Sequence, residues 1–116
     1  MDIGFKESFI REKAFQNQQD PEGARVLWSR HAITELVADS LTRQQVERAL
    51  QGCDLIEDYP TLHRRLPDCL VLAWPTTNMP LHIVVAVDLE LDRILLVTVY
   101  RPNEEEWEHD WRTRKR

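Results

Sequence analysis

The apolar pattern changes period several times along the chain. In residues 1–23, Phe5, Phe9, Ile10, Ala14 and Phe15 recur at roughly helical spacing until the polar stretch QNQQDPEG breaks the run. The spacing predicts a helical N-terminal extension, residues 1–23, ahead of a single domain over 24–116. All three Phe residues of the chain lie in this extension. A helix carrying them is expected to bury Phe9 and at least one other, against its own domain or a partner. RVLWS (25–29) reads as a short strand, and Ser29 is placed to cap a helix whose Ala32, Ile33, Leu36 and Val37 face one way. Thr42 and Gln45 then form a capping box, Leu41 and Val46 a hydrophobic staple, and Gly52 follows the helix end.

Beyond Gly52 the period becomes strand-like. DLIEDY (54–59) stops at Pro60, TLHRRLPD (61–68) is a polar loop, and CLVLAW (69–74) is a buried strand ending at Pro75. LHIVVAVDL (81–89) and ILLVTVYR (94–101) form a hairpin across ELDR. A register whose residue numbers sum to 182 puts Leu81, Ile83, Val85, Val87, Leu95, Val97 and Val99 on one core face. It sets His82 opposite Tyr100 on the other, whereas a one-residue slip sets His82 opposite Arg101. Asn103, with Glu106 three residues on, predicts a final helix with its acids at the start and its bases at the end, as a helix dipole favours. The expected fold class is α+β: an antiparallel twisted sheet of four or five strands, helices packed on one side, an N-terminal helical extension and a C-terminal helix.

Composition narrows the function more than it selects one. Of 116 residues, 42% are hydrophobic and 30% charged, which suits a folded domain. No apolar run, Ile83–Val87 and Cys69–Trp74 included, approaches the roughly 20 residues that span a bilayer, and the first residues predict no secretory signal. Two cysteines make no disulfide framework, and the expected location is cytoplasmic. Cys53 and Cys69 read as buried small hydrophobes. With only 3 Gly, no phosphate-cradling loop can form, and the Cys and His positions match no metal spacing. The net charge of −5 argues against a dedicated nucleic-acid binder.

Candidate chemistry gathers in three places. His82, Tyr100 and Arg101 meet at one end of the sheet, where an imidazole, a phenol and a guanidinium suit acid–base work and anion stabilisation. The plain alternative is a His stacked on a Tyr, with Arg bonded to an acid. His63, Arg64 and Arg65 lie in the polar loop, where adjacent arginines suit a phosphate clamp or simple solvation. Arg30 and His31 open a helix, where free N–H groups favour anions; His31 reads equally as a structural residue. Trp107 and Trp111 are expected to face the sheet.

RHA (30–32), LTRQQVERAL (41–50), EDYP (57–60), LHIVV (81–85) and TVYRP (98–102) together resemble the domain-of-unknown-function 4258 family of bacterial proteins over about residues 24–103. Members look like the RelE and BrnT type of small toxins, often encoded beside an antitoxin-like partner. The resemblance implies a compact sheet with helices on one face, and metal-free cleavage of RNA. His31, Tyr100 and Arg101 match family positions. Where members commonly carry Arg four residues after that His, this chain has Glu35. Two functional readings follow. In the first, a toxin-like protein uses His31, His82, Tyr100 and Arg101 as catalytic groups and Arg30, Arg64 and Arg65 to hold phosphate, with no metal or cofactor. In the second, a non-catalytic module binds a protein through the extension and the last helix. The partners implied are an antitoxin-like protein, RNA or a second copy of the chain, and no membrane.

Overall fold

The computed structural model describes residues 1–59 and 66–116. Helix α1 (Ile3–Gln19) leads to strand β1 (Val26–Trp28), helices α2 (Arg30–Ala38) and α3 (Arg43–Ala49), and strands β2 (Asp54–Tyr59), β3 (Asp68–Thr76), β4 (Met79–Asp88) and β5 (Arg93–Tyr100). The five strands form one sheet in the order β1-β5-β4-β3-β2. All neighbours are antiparallel except β1 and β5, which run parallel. The fold is therefore α+β with a mixed sheet, which corrects the all-antiparallel expectation. β1 has two helices after it and no hairpin partner, so it completes the sheet by joining the last strand, a pairing that local pattern does not reveal.

The helix starts follow from local chemistry. Ser29 accepts from the Ala32 N–H, and Thr42 and Gln45 close the capping box at α3. The core layer between helices and sheet takes Ile10 and Ala14 from α1, Ala32 and Leu36 from α2, Val46 from α3, and Cys69, Val71, Ile83, Val85, Leu96 and Val99 from the strands.

The hairpin register sums to 182 at its open end, where His82 pairs with Tyr100, Ile83 with Val99 and Val84 with Thr98. A bulge between Val84 and Val85 then shifts it by one, so that Val85 meets Leu96. Ile94 and Leu96 are buried in the core in place of Leu95 and Val97.

α1 is part of the domain core rather than an appendage. Only Phe9 of the three Phe residues is buried; Phe5 stacks on it at 6.0 Å and Phe15 is exposed. The buried face also carries Lys6, Lys13 and Asn17, each with partners. Lys6 donates to the Asp58 carboxylate and the Asp68 carbonyl, Lys13 pairs with Asp92 at 2.6 Å, and the Asn17 carbonyl accepts from the N–H groups of Arg25 and Val26.

No C-terminal helix forms. Asn103 does accept from the N–H groups of Glu105 and Glu106, as a cap would. The chain then doubles back instead: Glu108 N–H donates to Thr113 C=O and Lys115 N–H to Glu106 C=O. Asp110 accepts from the N–H groups of Arg112 and Thr113 and from the Thr113 hydroxyl, and Trp111 takes a positive φ of 61°. That side-chain turn competes with helix continuation and wins here because it lets Trp107 pack on the sheet. Residues 103–116 are thus a strap across the sheet face opposite the helices.

Candidate functional site

Alternation along β4 and β5 turns His82 and Tyr100 away from the core layer, onto the face that the strap covers. Tyr100 Oη lies 3.2 Å from His82 Nδ1, with ring centroids 5.3 Å apart in an edge-on arrangement. His82 Nε2 is 2.7 Å from the Trp111 carbonyl. A carbonyl only accepts, so Nε2 carries the proton, and in the neutral ring Nδ1 accepts from the Tyr100 hydroxyl. The Trp107 ring stands edge-on to the imidazole, with centroids 4.4 Å apart. His82 is 0% exposed, and this burial pushes its pKa below the usual histidine value.

Three further groups complete the cluster. Arg114, on the strap, donates to both carboxylate oxygens of Glu57, at 2.6 and 3.0 Å, and lies 4.7 Å over the Trp107 ring. The Tyr59 hydroxyl donates to Glu57 at 2.7 Å. The Arg114 hydrogen bonds hold Glu57 below its ordinary pKa, and it is ionised at neutral pH. Burial raises the pKa of both phenols. His82 is sealed, while Glu57, Tyr59 and Tyr100 are half-buried and Arg114 is exposed. A neutral imidazole backs one phenol, and an ionised carboxylate and a guanidinium form the rim. This set can donate a proton, accept one and hold an anion.

The structure thus brings together two of the sequence candidates, His82 and Tyr100. Arg101 is exposed and makes no polar contact among the described residues. His31 is 67% exposed and lies 3.3 Å from Glu35, and Arg30 is exposed beside it. Glu35 has a structural role: it accepts from the Val99 N–H at 2.8 Å, closing the edge of β5 beyond β1. Arg64 and Arg65, with His63, lie outside the described residues. Glu57, Tyr59 and Arg114 were missed. The i, i+2 spacing of Glu57 and Tyr59 in DLIEDY was the available signal, since it places both on one face of a strand. Arg114 carried no such signal, because only the folded strap delivers it. Among the described residues no three His, Cys, Asp or Glu side chains gather as a metal site, and no helix is long and apolar enough to cross a membrane.

A family model described as "Domain of unknown function (DUF4258)" matches residues 28–101, which include β1 from Trp28, both helices after it and all of β2–β5 through Tyr100. No curated protein and no solved structure matches the chain.

Proposed function

The chain belongs to the DUF4258 family, and from the site just described we propose that it is a toxin-like protein that cleaves RNA by acid–base chemistry on the strap-covered face of its sheet. The observation that carries this reading is the convergence of Glu57, Tyr59, Tyr100 and Arg114 over the buried His82. In such a reaction a ribose 2′-oxygen attacks the adjacent phosphorus and gives up its proton. The bond from phosphorus to the 5′-oxygen breaks, and that oxygen takes a proton. The products are a 2′,3′-cyclic phosphate and a free 5′-hydroxyl.

Each rim group suits one of these steps. Arg114 holds the phosphate and stabilises the charge that grows on it. Glu57 is the proton acceptor. Paired with Arg114 it is a weak base, but a phosphate that draws the guanidinium away removes the main cause of its lowered pKa, so its basicity rises as substrate arrives. Tyr100, kept protonated by burial, turns its one hydroxyl proton from His82 Nδ1 to the leaving oxygen and gives it up there. An antitoxin-like protein covering this face would silence the reaction.

The test is purified protein incubated with single-stranded RNA in the presence of a chelator, the ends being identified by sensitivity to cyclic-phosphate phosphodiesterase. Tyr100→Phe and Arg114→Ala should each lower the rate by on the order of 100-fold while the circular dichroism spectrum is kept. Folded wild-type protein that leaves RNA intact, and does not slow growth when expressed without a partner, overturns the proposal. The second reading, a non-catalytic binding module, is favoured by one observation: His82 is fully enclosed, with both ring nitrogens engaged. It would act through the outward Phe5 and Phe15 of α1 rather than through a last helix.

A further inference from the structure

The edges of the sheet are partly covered. At β2, Glu7 of α1 accepts from the Leu55 N–H and Arg11 donates to the Cys53 carbonyl. Along β5 beyond β1, the Ser29 hydroxyl donates to the Val97 carbonyl and Glu35 accepts from the Val99 N–H. At β1, the Ile94 N–H donates to the Arg25 carbonyl and the Ser29 N–H to the Leu96 carbonyl, so Arg25, Leu27 and Ser29 face β5. By strand alternation Val26 and Trp28 turn their backbone groups outward. Asn17 caps the Val26 N–H, but the Val26 carbonyl and the N–H and carbonyl of Trp28 have no partner among the described residues.

These groups border a groove of about 610 Å³ lined by β1, Leu95, Ala24 and Pro21 on one side and Arg43, Gln44 and Glu47 on the other. A second hollow lined by Gln44, Glu47 and Arg48 adjoins it at Asn17 and Pro21. Glu47 is already occupied, by the Trp28 indole N–H at 2.7 Å and the Asn17 amide at 3.1 Å. Arg43 and Arg48 are exposed and make no ion pair or hydrogen bond among the described residues; Glu47 keeps its charge beside neutral donors, so these three groove residues carry one positive charge in excess. We propose that the β1 edge is a docking site for an extended, acidic peptide segment of a partner protein, which adds to the sheet as a sixth strand. Run antiparallel, one residue of the segment exchanges both bonds with Trp28, and the residue two positions on donates to the Val26 carbonyl. Its carboxylates meet Arg43 and Arg48.

The probe is a short N-acetylated peptide alternating glutamate and valine, titrated into the isotope-labelled full chain. The Trp28 amide should exchange with solvent at least about tenfold more slowly when the peptide is bound, the loss of one such bond being worth about a tenfold change. The double variant Arg43→Glu, Arg48→Glu, whose changed side chains are exposed and unpaired, should bind about tenfold more weakly. A peptide N-methylated at every residue, with no N–H left on either edge, should not bind. Unchanged Trp28 exchange at saturating peptide overturns the proposal, as does equal binding by a lysine–valine peptide or by the N-methylated one. Oligouridylate protecting the same amide would identify the groove as an RNA surface and overturn it too. The result does not depend on RNA cleavage, since Arg114→Ala protein should bind the peptide unchanged.

Discussion

Replacing Trp107 by Ala asks whether the strap is an integral layer of the fold. The ring is 1% exposed, stands edge-on to His82 at 4.4 Å and lies beneath the Arg114 guanidinium at 4.7 Å. Truncating a buried Trp to Ala ordinarily costs about 3–5 kcal/mol, through lost burial and the cavity left behind. Two features lower that figure here. The strap is a surface segment that can settle into the vacated space. The indole Nε1 has no hydrogen-bond partner among the described residues, and removing a buried orphan donor relieves a penalty of about 1–3 kcal/mol. The expected net loss is about 2–3 kcal/mol, equivalent to a fall in melting temperature of about 10 °C for a domain of this size. Urea denaturation followed by circular dichroism measures it. Trp107→Phe keeps an aromatic edge and removes the orphan, and should stay within about 1 kcal/mol of wild type. A Trp107→Ala loss below about 0.5 kcal/mol, the range of a neutral surface change, would refute the reasoning and show the strap detached in solution.

Three further outcomes follow from the same contacts. Burial holds the folded His82 below its ordinary pKa, so as pH falls the unfolded chain takes up that proton first. Stability from this residue should be level above about pH 7 and decline as pH drops through the unfolded value of 6.5, and His82→Gln should flatten that part of the profile measured by urea midpoints. Burial pushes the Cys53 and Cys69 thiols up to about 12, so a thiol reagent at pH 8 should label neither in native protein and both in denaturant; fast native labelling would contradict their placement. Glu35→Ala strips the Val99 N–H of its acceptor and should cost about 1–2 kcal/mol, with Glu35→Gln retaining most of the stability.

Local chemistry was readable wherever short-range rules decide the outcome. The Thr42–Gln45 box, the Ser29 cap and the His82–Tyr100 pairing each depend on residues close in sequence or on one hairpin register. Periodicity failed where polar residues do the packing. α1 buries Lys6, Lys13 and Asn17 beside Phe9 and Ile10, and a reading that counts apolar positions assigns such a face to solvent. The bulge at Val84 was equally hidden. It inserts no special residue, yet it exchanges Leu95 and Val97 for Ile94 and Leu96 in the core. The parallel β1–β5 pair and Arg114 on Glu57 bring together residues about 60 positions or more apart, a separation at which no local rule applies.

The charge split of the last residues shows how one pattern supports two physical explanations. Acids over 104–110 followed by bases over 111–116 match the polarity of a helix dipole, and a helix was the natural expectation. In the fold the same split has another use. Asp110 ties the turn, Arg112 reaches Asp54 at 3.0 Å, and Arg114 reaches Glu57, so two of the bases lie along β2 as the chain returns. Glu104 and Glu105 remain exposed beyond the turn that leads in from Asn103. The exposed Arg112–Asp54 pair adds little stability, typically below about 1 kcal/mol, whereas the bidentate Arg114–Glu57 pair on a half-buried carboxylate joins Trp107 and His82 in anchoring the strap. In the proposed chemistry a phosphate takes over the Arg114 guanidinium from Glu57, one charge-assisted contact replacing another, while Trp107 and His82 hold the strap in place. The cleavage chemistry proposed for this face requires that division between a fixed base and a movable guanidinium.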